Sequence, residues 1–134
     1  MAGSDEDGIS RTLAQYAQFC DDGRFDDFAD LFAKDATFRV LDQAHEGRQS
    51  IKAFMEKAMP PEKRGRHACF NSVIEVDGDT ARAFTDYVFV GRADGGGFAI
   101  TSVGRYHDDL VREGDRWRFA ERRIVFLGGD APEV

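Results

Sequence analysis

Cysteine, proline, histidine and tryptophan are scarce in this 134-residue chain, which has two, three, three and one of them. Cys20 and Cys69 stand far apart, each within an apolar pattern, and so lack the spacing of a disulfide framework or a metal knuckle. They read as two buried thiols. Positive charge is also short: 18 Lys+Arg face 25 Asp+Glu, a net charge of -7 that a phosphate backbone would repel. No apolar run approaches the ~20 residues that cross a bilayer, and the opening MAGSDEDG is acidic where a signal peptide is basic and then apolar. These absences set the expectation of a soluble, cytoplasmic protein that binds neither nucleic acid nor membrane. Internal repeats are missing, as is a nucleophile elbow. Gly95-Gly96-Gly97 lies between strand-like runs, where it makes no dinucleotide fingerprint.

Aromatic weight is what the chain does have. Twelve Phe, three Tyr and one Trp supply more apolar surface than a disordered segment carries. The length fits one compact domain over residues 1–134, with 1–8 and 128–134 as flexible ends.

Ile9, Leu13, Tyr16, Ala17 and Cys20 recur at helical spacing until Asp22-Gly23 stops them. Phe25, Phe28, Ala29 and Phe32 predict a second helix over 25–33, its start rich in Asp, which suits the macrodipole. A short strand over 36–41 follows, then a polar turn over 42–48 pivoting on Gly47. Ser50 can cap a third helix carrying Ile51, Phe54, Met55 and Ala58, which Pro60-Pro61 ends. Beyond Gly65 come four strand-like runs, 67–76, 80–92, 98–112 and 116–127, separated by Gly- and Asp-rich turns. With no helix between these runs, parallel crossovers are not expected. The predicted fold is α+β: a curved, cone-shaped antiparallel sheet with three helices from the N-terminal half on its concave face, leaving a hollow suited to a ligand.

Alternation puts His67, Cys69 and Asn71 on one face of the first long strand, but does not say whether that face meets the helices or a partner subunit. Asp21 closes the first helix on the unfavourable side of its dipole, five residues after Tyr16. Two readings fit it: a carboxylate partnered by a histidine, or a cap facing water. His45 and His107 lack the spaced second ligand of a metal site, and no metal is expected. Arg123 follows Trp117, Phe119 and Glu121 on one face of the last strand, which takes it toward the hollow unless it snorkels or pairs with a carboxylate.

Several local motifs combine into a recognisable whole: Tyr16 and Asp21 with Phe25-Asp26-Asp27-Phe28-Ala29-Asp30-Leu31-Phe32, Gly47-Arg48, Arg66-His67 with Asn71, Gly104-Arg105-Tyr106, and Asp115 through Phe119. Together, over about Ile9 to Leu127, they resemble the SnoaL-like branch of the nuclear transport factor 2-like superfamily. Asp21 and His67 fall where dehydratases and dehydrochlorinases of this superfamily place an Asp–His pair. Tyr16 matches the tyrosine of the bile acid dehydratases, and Arg123 lies near a functional arginine of the dehydrochlorinases. The next strand has Arg92 where scytalone dehydratase has a second histidine, a departure that argues against that substrate.

The resemblance implies a cofactor-free elimination from a small hydrophobic cyclic substrate. His67 would be the base, since histidine changes charge near neutrality, with Asp21 orienting it and Tyr16 donating a hydrogen bond. Asn71, Arg123, Tyr87 and Tyr106 are the candidate substrate contacts. It also implies a homodimer or homotrimer, whose contact would cover outward residues such as Phe84, Val88 and Val90. Two other readings share the scaffold: a polyketide cyclase or ketosteroid isomerase-like enzyme with Asp21 as base, and a non-catalytic binding or dimerisation module.

Overall fold

The structure is a computed structural model that describes residues 4–128. Helix α1 spans Asp5–Asp22, α2 Phe25–Asp30 and α3 Arg48–Ala58; the strands are β1 Phe32–Val40, β2 Gln43–Glu46, β3 Arg66–Asp77, β4 Thr80–Arg92, β5 Phe98–Glu113 and β6 Arg116–Phe126. They form one six-stranded sheet in the order β2-β1-β6-β5-β4-β3. The four long strands make the expected antiparallel meander, but β1 runs parallel to β6. A parallel neighbour was not expected. It arises because β1 leaves the helical hairpin and joins the last strand of the meander, a pairing that adjacent sequence patterns do not encode.

Helix α1 starts four residues earlier than its apolar repeat suggests. Ser4 Oγ accepts a hydrogen bond from the Asp7 amide (3.1 Å), and the Asp7 carboxylate accepts one from the Ser4 amide (3.3 Å). This capping box holds a turn that the apolar spacing alone marked as a frayed lead-in. Ser4→Ala is expected to lower stability by about 0.5–2 kcal/mol, read as an earlier urea midpoint at unchanged slope. The expectation for 128–134 falls, apart from Gly128, outside the described residues, as does that for 1–3.

Other boundaries move for local reasons. Helix α2 stops at Asp30 because Phe32 already pairs with Phe119 in the sheet. The polar stretch read as a turn contains β2, which pairs with β1 from Thr37↔Glu46 to Val40↔Gln43. Gly47, at φ 84°, takes the N-cap position of α3, leaving Ser50 inside the first turn.

Besides the register shift between Phe32 and Thr37 in β1, bulges in β3, β5 and β6 bend the sheet. They fall between Phe70 and Val73, at Thr101 between Ile100 and Ser102, and at Ala120 between Phe119 and Glu121. The concave face packs on α1, where Tyr16 meets Phe28 (4.9 Å between ring centroids), Tyr106 (5.4 Å) and Phe119 (6.0 Å). Phe28, Phe32, Phe38 and Phe119 are fully buried. Each such side chain contributes about 1.5–3 kcal/mol relative to exposure, so this cluster fixes how the helices lie across the sheet.

Candidate active site

The C-terminal turn of α1 and the first residues of β3 meet beneath the helical layer. Asp21 Oδ1 lies 2.6 Å from His67 Nδ1, and Asp21 Oδ2 accepts the His67 backbone N–H at 2.9 Å. Of the two sequence readings of Asp21, the histidine-partnered one describes the structure. Its carboxylate is 4% exposed, too buried for a cap facing water. Two contacts from one carboxylate fix both the ring and the strand that carries it, and leave Nε2 as the free ring nitrogen.

His67 lines a cavity of about 200 Å³. Its walls include Phe38, Phe54, Phe89, Met55, Met59 and Ile124 and, among the described residues, no Asp, Glu, Lys or Arg side chain. Tyr16 and Tyr106 line the cavity together with His67; the Tyr16 ring lies 6.3 Å from the imidazole and 5.4 Å from the Tyr106 ring between centroids. Burial pushes both phenols well above their ordinary range, which keeps them protonated and able to donate. Tyr87 stacks on Tyr106 (4.6 Å) and hydrogen bonds Ser102 (2.8 Å), while the Tyr16 and Tyr106 hydroxyls have no such side-chain tie among the described residues.

Two predicted contacts lie elsewhere. Asn71 sits in the β3 bulge at φ 55°, exposed, with its amide on Asp86 at 3.4 Å. The bulge ends the alternation that placed it beside His67. Arg123 is exposed on the outer face of the sheet, because the extra residue at Ala120 reverses the alternation that Trp117 and Phe119 set.

The same reversal brings in Arg122, which sequence reasoning passed over. Arg122 is 1% exposed and makes two hydrogen bonds to Asp108, Nε to Oδ1 at 2.7 Å and Nη2 to Oδ2 at 3.0 Å. Its guanidinium lies against the rings of Tyr106 (3.7 Å), Tyr16 (4.1 Å) and Phe119 (4.4 Å), supporting the two tyrosines from behind. Burial opposes the guanidinium charge, and Asp108 more than offsets it. The available signal was an arginine of the last strand placed to pair with an aspartate of the strand before it; one bulge hid it.

Cys20, Asp21 and His67 place potential metal-ligand atoms within 4.8 Å of one another. Both Asp21 oxygens are already engaged by His67. The Cys20 thiol is pushed up to about 12, first by burial and then by Asp21, so near neutrality it carries its proton. Cys69, read as buried, is exposed, and both cysteines are free. Burial raises the Cys69 thiol as well, so the two differ in access: a thiol reagent is expected to modify Cys69 first in the folded chain, and both after unfolding in urea. Cys69→Ser removes the fast reaction.

The fold that carries this site belongs to a known family. The SnoaL-like domain model matches residues 2–123, and the chain belongs to that family. It is 31% identical over 126 residues to the uncharacterized protein Rv2910c of Mycobacterium tuberculosis, covering 89% of this chain and 83% of that protein. Among solved structures it is similar to Rv3472 of the same organism, a protein of unknown function, at TM-score 0.85 and 26% identity over 92% of this chain and 72% of that one. A Novosphingobium aromaticivorans protein provisionally assigned as a scytalone dehydratase gives TM-score 0.82 at 22% identity, over 96% of this chain and 88% of that one. ActVI-ORFA of Streptomyces coelicolor gives 0.80 at 20% identity, over 90% and 96%. These last two likenesses establish the fold, which other neighbours share under the names NTF2-like and cystatin-like. The SnoaL-like family includes polyketide cyclases and dehydratases. Among the described residues no helix is long and apolar enough to cross a membrane.

Proposed function

We propose that the chain is a cofactor-free lyase that eliminates water, or another small leaving group, from a neutral cyclic carbonyl compound. The observation that carries this reading is the double engagement of Asp21 by His67, which occupies both carboxylate oxygens and leaves the imidazole Nε2 as the available base. That arrangement favours histidine over the carboxylate as base, and so favours elimination over the cyclase or isomerase reading with Asp21 in that role.

In this scheme Nε2 takes a proton from the carbon next to the carbonyl. The electron pair left on carbon delocalises onto the carbonyl oxygen, where Tyr16 and Tyr106 donate hydrogen bonds. The pair then returns to form the new C=C bond as the C–O bond to the β-hydroxyl breaks. The hydroxyl departs as water with the proton from the imidazolium, restoring neutral His67. Asp21 orients the ring and stabilises the imidazolium. A wall without Asp, Glu, Lys or Arg among the described residues selects a neutral ring. The reading also has the chain acting as a homodimer or homotrimer, to be checked by light scattering.

The test is dehydration of β-hydroxytetralone, followed by the fluorescence of the naphthol it yields. Turnover without added metal or cofactor is the expected result. Binding of naphthol in the cavity, with no turnover of this or any related hydroxylated cyclic ketone, would replace the lyase with a ligand-binding module.

A further inference from the structure

Arg123 and His107, both singled out in the sequence, meet on the opposite face of the sheet from the cavity, where the proposed reaction makes no use of them. They are paired residues on β6 and β5, and His107 also pairs with Phe84 on β4. With Arg39, Arg82, Asp109 and Glu121 they line a pocket of about 280 Å³.

Charge in this pocket does not cancel. Arg39 pairs with Glu121 at 3.1 Å, and Arg82 reaches Asp109 at 4.0 Å. Asp108, which also borders the pocket, is committed to Arg122. Among the described residues Arg123 has no carboxylate within 4.0 Å, so one guanidinium is left over in a chain whose net charge is -7. The His107 imidazole packs edge-on against Phe84 (5.2 Å, 89°), and its Nε2 is buried without a hydrogen-bond partner. Burial holds His107 toward its neutral form, and Arg123, Arg105 and Arg82 act in the same direction. Arg105 is itself paired with Asp86.

We propose that this outer-face pocket is an anion site for a phosphate dianion, with Arg123 as its principal ligand, Arg82 and Arg39 at its rim and His107 as its proton-accepting floor. A planar guanidinium presents paired donors to phosphate oxygens. The unmatched arginine supplies one positive charge, and protonation of His107 on binding supplies the second. The groups acting on the imidazole in this balance are Arg82 from β4, Arg105 from β5 and Arg123 from β6, while Arg39 from β1, Asp108 and Asp109 from β5 and Glu121 from β6 line the same pocket. The site lies one residue along each strand from the inward pair Asp108–Arg122, which stacks under Tyr16 and Tyr106. An anion on the outer face is therefore placed to act on the cavity floor through β5 and β6. The proposal is independent of the reaction assigned to the cavity, but it requires that any subunit contact over Val88 and Val90 leave Phe84 and this pocket open.

The experiment is a phosphate titration of the full chain at constant ionic strength, following the imidazole NMR signals of His45, His67 and His107, with phenyl phosphate as a second probe. His107 should shift saturably toward the protonated position, more than the other two, and chloride should not reproduce this. Arg123→Gln, an exposed change, should weaken binding at least tenfold, while Arg66→Gln elsewhere on the outer face should leave it unchanged. Tighter binding of phenyl phosphate would assign the site to a phosphomonoester, and equal binding to free phosphate. A linear response, an equal response to chloride, or unaltered binding by Arg123→Gln would each overturn the proposal.

Discussion

Replacing His67 with alanine is expected to reduce the dehydration rate of β-hydroxytetralone by about 10²–10⁴-fold, the usual contribution of a positioned general base. Asp21→Asn should also lose activity, but for a different reason. The amide can still occupy the space beside Nδ1, yet it no longer stabilises the imidazolium or enforces one tautomer. The contrast between the two variants is diagnostic. If Asp21 were the base, Asp21→Asn would be the inactive protein and His67→Ala would keep a substantial rate. Naphthol binding by each variant, measured alongside, separates loss of chemistry from loss of the cavity.

The second large effect concerns stability. Asp108→Ala is expected to cost about 3–5 kcal/mol, because it leaves the Arg122 guanidinium buried without its counter-ion. The pair Asp108→Leu with Arg122→Met should recover most of that loss, since it removes both charges from a site walled by Tyr16, Tyr106 and Phe119. Urea unfolding of the single and double variants measures the difference. Equal instability of the two would mean that packing around Arg122, rather than its charge, holds the floor of the cavity.

Much of this site could be read before the fold was known, and the part that could not has a common cause. Asp21 was conspicuous because an acid at a helix C-terminus opposes the dipole, and His67 because a histidine opened a long strand; the resemblance joined them. The four long strands announced themselves through alternation and through the turns at Asp77-Gly78-Asp79 and Glu113-Gly114-Asp115. Alternation is reliable only while each strand advances in step with its neighbour. One extra residue at Ala120 exchanged Arg123 for Arg122, and another in β3 carried Asn71 away from the cavity. Bulges of this kind have no fixed sequence signature when the extra residue is not glycine. The parallel β1–β6 pairing was hidden for a different reason: it depends on where the hairpin delivers β1, which local pattern does not specify.

Proton abstraction by His67 is the central claim, and exchange at carbon tests it without any leaving group. Tetralone, incubated with the protein in heavy water, is to be analysed by mass spectrometry and NMR for deuterium at the carbon next to its carbonyl. The account predicts catalysed exchange by the wild-type chain that falls to the background rate in His67→Gln. Exchange that persists at the wild-type rate in His67→Gln would contradict it.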